Sequence, residues 1–268
     1  MSLFNRKPVP EAMAPRAGDT PKGRRLLAQI VRENLWELFA VSQYYLLCLL
    51  PFLLPGLFFL LSGGFLAALL CLLCSFPLSG PASLAMAKVF SNWLRSRGYE
   101  PSRTFWRTFA KEYRHGCLAG LLYQGILSVL AFSAYFYFSA SSRVMIVLGF
   151  LAVALMLVVW VSSIYGYLML ADIDLPFFAI FKNSFLLFFL DLRDDLLILL
   201  AALVLCLPLL IYLPQTLLIL LLSWFSWLWL LAAYWGWRAL QKYVVKENAA
   251  KADADAAPEP EQDAKPHG

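Results

Sequence analysis

Two cysteines separated by two residues, Cys71 and Cys74, have the spacing of half a metal site or of a thiol-redox pair. Both lie inside an uninterrupted apolar run. The chain has only two histidines, His115 and His267, and neither belongs to a cluster with ligand spacing. The pattern therefore favours cysteines that pack as small apolar side chains. We expect no metal and no cofactor.

Carboxylates are the second group that could do chemistry, through acid–base catalysis. Five aspartates lie close together in the second half of the chain: Asp172, Asp174, Asp191, Asp194 and Asp195. An alternative role is to cap helices and to face a basic segment earlier in the chain, and we favour this docking role. The sequence has no phosphate-binding loop, zinc-binding helix or nucleophile elbow. We therefore predict that the protein is not an enzyme.

A third group consists of polar side chains inside apolar runs: Glu37, Gln43 and Gln124. Ionisable groups in a membrane are candidates for function. Glu37, however, lies near the end of its run, where it can reach water, and no carboxylate occurs at greater depth. The glutamines, together with nearby tyrosines, either hydrogen-bond a neutral solute or link one helix to another. The last apolar run has three tryptophans near its middle, Trp224, Trp227 and Trp229. They either line a sugar-stacking surface or pack against other helices or lipid.

The elements that hold these side chains are apolar helices. Hydrophobic residues make up 61% of the 268 residues and charged residues 15%, whereas charged residues are about a quarter of a soluble domain. A crossing of the bilayer needs about 20 apolar residues. The composition therefore predicts an all-α, polytopic membrane helical bundle.

Six apolar stretches fit as transmembrane helices in a membrane domain that covers residues 25–245. They are residues 35–50, 56–76, 116–139, 144–170, 196–213 and 217–237. Pro51, Pro55 and Gly56 predict a tight turn between the first two. Residues 175–190 are marginal for a crossing, and we predict an interfacial helix there. The polar ends, residues 1–24 and the acidic tail 246–268, are predicted to be disordered.

The basic residues orient the predicted bundle. Twenty-one of the 22 Lys and Arg residues lie on the side that carries both termini, and Arg143 alone lies on the other. Because basic loops stay in the cytoplasm, both termini are predicted to be cytoplasmic.

Residues 79–115 form the long connection between the second and third spans, which we call the collar. Its apolar residues recur at helical spacing and predict two amphipathic helices on the cytoplasmic membrane surface, one built on Met86, Val89, Phe90 and Trp93 and one on Phe105, Phe109 and Tyr113. We expect the collar to contact anionic headgroups or a protein partner. Nucleic acid is the least favoured partner. The candidate contact residues are Lys88, Arg95, Arg97, Arg103, Arg107, Lys111, Arg114, Trp93 and Trp106.

Four short motifs occur in an order that resembles the YesL-like family of small bacterial integral membrane proteins. They are N-L-W at 34–36, S-G-P-A-S-L-A at 79–85, F-W-R-T-F at 105–109 followed by Y-R at 113–114, and F-K-N-S-F at 181–185. The likeness covers roughly residues 32–243. It implies a multi-pass protein of the bacterial inner membrane and, from the genome context of family members, an association with carbohydrate uptake. It implies no reaction and no catalytic residues.

The function that these observations favour is an accessory or scaffold role in a solute transport system, with the collar as the contact surface. The alternative is a small secondary carrier of a neutral solute. Nothing in the sequence predicts the oligomeric state.

Overall fold

The computed structural model describes residues 24–95, 100–140, 142–173, 176–211 and 217–240, with side chains for 27–95, 100–140, 142–173, 176–204 and 225–240. About 94% of the described residues are helical, and none is in a strand. The predicted all-α class is therefore confirmed. The described helices are α1 (Arg24–Leu61), α2 (Phe65–Cys74), α3 (Phe76–Leu94), α4 (Pro101–Lys111), α5 (Tyr113–Ser139), α6 (Arg143–Asp172), α7 (Phe177–Leu190), α8 (Leu192–Ile211) and α9 (Leu217–Leu240).

Three stretches among the described residues are long and apolar enough to cross a membrane: Leu27–Leu61, Tyr113–Ser139 and Arg143–Asp172. A fourth is the bent pair α2 and α3, which meet at an angle of 56° and together pass the same test. The structure thus has the helices of a membrane protein. Helices α8 and α9 cover the predicted fifth and sixth spans, but a count of six crossings stays a prediction. Helix α7 is a shorter apolar helix, at the place where the interfacial helix was predicted.

The first helical hairpin turns later than the sequence predicted. Helix α1 continues through Pro51 and Pro55 to Leu61, so the predicted turn at 51–56 is wrong. A proline removes one hydrogen bond from the helix backbone. Transmembrane helices tolerate this loss where neighbouring groups or a local adjustment of the helix satisfy the freed carbonyl. The chain reverses at Gly63 instead, where φ is +80°, a conformation that glycine adopts without steric cost.

The first half of the collar is buried, not exposed. Every residue from 79 to 94 except Lys88 is buried, so the prediction of a membrane-surface helix built on Met86, Val89, Phe90 and Trp93 is wrong. The face opposite these apolar residues carries Lys88 and Arg95 as well as Gly80 and Ser91, and both cations are paired with Asp172 of α6. Both faces of α3 therefore pack against the bundle.

Helices α3 and α5 approach each other closely. A Cβ added to Gly80 would lie 2.2 Å from the Gly116 carbonyl oxygen, and one added to Gly120 would lie 2.8 Å from the Gly80 Cα. The Gly116-x-x-x-Gly120 spacing at the start of α5 is therefore a helix-packing face. This contact places α3 at the centre of the bundle, beside α1, α5, α6 and α9.

Candidate functional site

A cavity of about 190 Å³ lies between five helices, α1, α3, α5, α6 and α9. Its wall combines aromatic rings with hydroxyl and amide groups. The lining residues are Tyr45, Ser83, Tyr123, Gln124, Leu127, Trp160, Ser163, Ile164, Tyr167, Phe225, Leu228, Trp229 and Ala232.

Hydrogen bonds between helices fix the polar groups of the wall. The hydroxyls of Tyr45 and Ser83 are 3.0 Å apart, and Nε2 of Gln124 donates to the Ser79 hydroxyl at 2.6 Å. The Tyr123 hydroxyl lies 2.9 Å from that of Ser184 on α7. Because Ser184 itself donates to a backbone carbonyl, Tyr123 is the donor in this pair, and its oxygen keeps a lone pair for a further donor.

The aromatic rings form two groups on the wall. The Tyr167 ring lies 5.8 Å from that of Tyr123 and 6.1 Å from that of Trp229, measured between centroids. The rings of Tyr45 and Phe225 are 4.9 Å apart. These distances are in the range of favourable aromatic pairs. The rings therefore hold one another in place in the wall of the cavity.

The wall contains no Asp, Glu, Lys, Arg or His among the described residues. A charged ligand would therefore lose its hydration without gaining an ionic partner. The cavity is slightly larger than one of about 150 Å³ that holds a benzene molecule. Its chemistry and size suit an uncharged solute of about the size of one six-membered ring that can both stack and hydrogen-bond.

A buried ion cluster joins three of the same helices. The side chain of Asp172, at the end of α6, is 0% exposed. Its carboxylate lies 2.9 Å from Lys88 Nζ and 3.2 Å from the Arg95 guanidinium, and it also accepts a hydrogen bond from the Ser91 hydroxyl. The Arg95 guanidinium lies 4.1 Å from the ring centroid of Trp237 on α9. The cluster therefore links α3, α6 and α9.

The ion cluster lies beyond one end of the cavity. Lys88 lies five positions after Ser83 on α3, and Asp172 lies five positions after Tyr167 on α6. On α9, Trp237 lies five positions after Ala232. Five residues of helix rise by about 7.5 Å. Three of the five helices that line the cavity are thus tied together by charges about one and a half turns further on.

Three more carboxylates are buried at the start of α8: Asp191, Asp194 and Asp195. The Tyr165 hydroxyl on α6 donates to Oδ1 of Asp195 at 2.5 Å, whereas Oδ2 has no hydrogen-bond partner among the described residues. Arg238 on α9 lies 3.9 Å from the Asp194 carboxylate. Burial raises the pKa of Asp195 to about 7, and the neighbouring Asp191 and Asp194 charges add to this rise while the Tyr165 hydrogen bond opposes it.

The other predicted contact residues divide between surface and interior. Arg103, Arg107 and Lys111 of α4 are exposed, as are Arg114 and Trp106, so the second amphipathic helix of the collar has the predicted polar face. Trp93 is buried. Arg97 and Asp174 lie outside the described residues.

The predicted intramembrane polar residues also divide. Gln124 lines the cavity, but Glu37 and Gln43 are partly buried elsewhere on α1 and do not. Cys71 and Cys74 are free thiols, and the described part of the chain has no group of three metal-ligating side chains.

Sequence reasoning missed Trp160, Ile164 and Tyr167 of the wall because they occur in a largely apolar run. Trp160, Ser163, Ile164 and Tyr167 nevertheless follow the i, i+3, i+4, i+7 spacing that places side chains on one face of a helix. That spacing was the available signal. Ser83 and Phe225 carry no comparable pattern, since what they face depends on how α3 and α9 pack.

These features define an all-α bundle of membrane type with an uncharged interior cavity. Residues 30–134, which run from α1 into α5, match the family described as "Protein of unknown function, DUF624". The resemblance to the YesL-like family is consistent with this match. No curated protein and no solved structure matches the chain.

Proposed function

We propose that the protein binds a small, uncharged, polyhydroxylated solute in the cavity and carries it across the membrane. The observation that carries this proposal is the wall of the cavity. Its described residues combine hydroxyl and amide groups with aromatic rings and include no acid or base. Hydroxyl groups of a solute satisfy such polar groups, and aromatic faces pack against its C–H surface.

The ion cluster favours a carrier over a protein that only binds the solute. A carrier must open its site to each side of the membrane in turn, which needs elements with two discrete arrangements. Opening the cavity toward the cluster requires α3 to separate from α6, and hence Lys88 and Arg95 to leave Asp172. These ion pairs would act as the gate on that side.

Uptake by purified protein in proteoliposomes tests the proposal. The probes are erythritol, xylose and myo-inositol, with gluconate as a charged comparison. We expect saturable uptake of at least one neutral probe, no uptake of gluconate, and binding of the same probe in calorimetry. Uptake no faster than in empty liposomes, together with no binding of the neutral probes, would contradict the proposal.

Substitution of a wall amide gives a sharper test. Gln124→Leu removes a hydrogen-bonding group from the cavity, and the loss of about 0.5–1.5 kcal/mol lowers probe affinity by about 2- to 13-fold. Gln43→Leu is the matched control, because Gln43 is an amide in α1 that does not line the cavity. Equal effects of the two substitutions would count against the cavity as the binding site.

The second candidate function is the accessory role in a transport system. The observation that favours it is the row of basic residues on α4, in which Arg103, Arg107 and Lys111 are exposed at intervals of four residues. Such a row suits anionic headgroups on the cytoplasmic side of a bacterial inner membrane, or an acidic surface on a protein partner. In this reading both termini are cytoplasmic.

Cross-linking in native membranes followed by purification separates the two candidates. An accessory protein should co-purify with an ATPase or a solute-binding subunit. A variant that combines Arg103→Glu, Arg107→Glu and Lys111→Glu should abolish this co-purification. Neutral-solute uptake by the purified protein without any partner would instead support the carrier.

A further inference from the structure

Asp195 is a buried carboxylate that forms none of the ion pairs found among the described residues. It is 1% exposed, and its Oδ2 has no hydrogen-bond partner among the described residues. An ionised carboxylate that is buried and lacks a cationic partner is strongly unfavourable. A proton on Oδ2 removes this charge. The geometry therefore favours the neutral acid at this position.

The groups around Asp195 add to that preference. Its own turn contributes two further buried carboxylates, Asp191 and Asp194, whose negative charges disfavour a third. Helix α6 contributes Tyr165, a hydrogen-bond donor. Helix α9 contributes Arg238, which lies 3.9 Å from Asp194. Lys182, the basic residue of the adjacent α7, is exposed.

Tyr165 connects this carboxyl group to the cavity. It lies on α6 between residues that line the wall, with Ile164 on one side and Tyr167 two positions further. Gly166, the residue between the two tyrosines, packs against Tyr123, because a Cβ there would lie 2.1 Å from the Tyr123 hydroxyl. A shift of Tyr165 along or around the α6 axis would therefore change the position of two wall tyrosines.

We propose that Asp195 is a proton-binding site, and that proton binding there is coupled through Tyr165 to solute binding in the cavity. Protonation converts the carboxylate to the neutral acid with the proton on Oδ2. No other bond is made or broken. The coupling rests on the proposed solute site, whereas proton binding at Asp195 does not. In a carrier, such coupling makes the proton gradient the driving force for uptake.

Infrared titration of the purified protein tests the proton site without any solute. We expect a protonated-carboxyl band that disappears as the pH rises through about 7, the pKa that burial gives this group. Asp195→Asn should remove the band. Asp194→Asn should move its titration to lower pH by removing a neighbouring charge, and Tyr165→Phe should move it to higher pH by removing a donor to the carboxylate. A band that persists in Asp195→Asn, or no band in the wild type, would overturn the proton site.

Erythritol uptake into proteoliposomes tests the coupling. For one proton per solute, an inward gradient of one pH unit should raise erythritol accumulation by up to about tenfold. Asp195→Asn should still bind erythritol in calorimetry but lose the response to the gradient. Wild-type uptake that ignores the pH gradient, or that follows a sodium gradient instead, would overturn the coupling alone. Failure of the wild type to bind erythritol, xylose or myo-inositol would contradict the solute site, and the infrared result would still decide the proton site.

Discussion

At the scale of single residues, Asp172 and Asp195 show how one side-chain type takes two roles in two surroundings. The Asp172 carboxylate contacts the cations of Lys88 and Arg95 and accepts a hydrogen bond from a serine hydroxyl, so its charge is compensated. The Asp195 carboxyl group accepts a hydrogen bond from Tyr165 and lies near two more carboxylates, so a negative charge there is not compensated. The first residue is therefore suited to hold helices together, and the second to take up a proton.

Asp172→Asn should destabilise the fold. The substitution keeps the size of the side chain but leaves Lys88 and Arg95 close together without a counter-charge. Breaking a buried ion pair from one side costs about 3–5 kcal/mol, and because these cations are partly exposed we expect the lower end of that range. Urea or thermal unfolding of the purified protein measures the loss.

Glu112→Gln is the matched control for that experiment. Glu112 forms ion pairs with Lys111 and His115 near the surface, where such pairs contribute about 0–1 kcal/mol. A loss for Asp172→Asn no larger than that of Glu112→Gln would show that the ion cluster does not hold α3 to α6.

The stability of the protein should fall with rising pH because of Asp195. Its pKa is raised from 3.8 to about 7 in the folded state, so the folded protein binds more protons than the unfolded chain within this window. Stability then decreases as the pH rises from about 4 to about 7 and levels off above it. Asp195→Asn should flatten this part of the profile, as measured by melting temperature against pH. An unchanged slope in the variant would contradict the assignment.

At the scale of elements, α3 and α4 show how similar apolar patterns lead to different positions. Both have apolar residues at helical spacing, which predicts two surface helices. The faces opposite the apolar ones differ. In α4 that face carries Arg103, Arg107 and Lys111 and is exposed. In α3 it carries Lys88, Ser91 and Arg95, which contact Asp172 at the end of α6.

Gly120→Ala should weaken the contact between α3 and α5. The added Cβ would lie 2.8 Å from the Gly80 Cα, so one helix backbone must move. Overpacking of this kind typically costs about 1–3 kcal/mol. The melting temperature and the yield of folded protein measure the effect.

Gly125→Ala is the control on the same helix, because a Cβ there meets no atom within 4 Å. An alanine in the interior of a helix is more favourable than a glycine by about 1 kcal/mol, so this variant should be as stable as the wild type or more stable. Similar losses in the two variants would argue against the close packing of α3 on α5.

At the scale of the whole molecule, the unequal distribution of Lys and Arg predicts an orientation that chemical labelling can check. In a cysteine-free background, a membrane-impermeant maleimide added to intact cells should label Ser142→Cys, beside Arg143. It should not label Ala256→Cys in the predicted cytoplasmic tail until the membrane is opened. Labelling of Ala256→Cys from outside would overturn the predicted topology.

The sequence by itself determined the class of protein and most of the helices, because a bilayer demands long apolar segments with internally paired backbones. It predicted a helix at 175–190, where α7 lies. It did not predict where the first hairpin turns, since the effect of Pro51 and Pro55 depends on whether neighbouring contacts sustain the helix across them.

Only the tertiary structure decided which polar residues come together. Gln124 lines a cavity and Gln43 does not, although both are glutamines in apolar helices. The pairing of Lys88 and Arg95 with Asp172 joins residues about 80 positions apart in the chain. Such contacts depend on how the helices rotate and cross, and the small residues of α3 leave those angles to be set by packing in three dimensions.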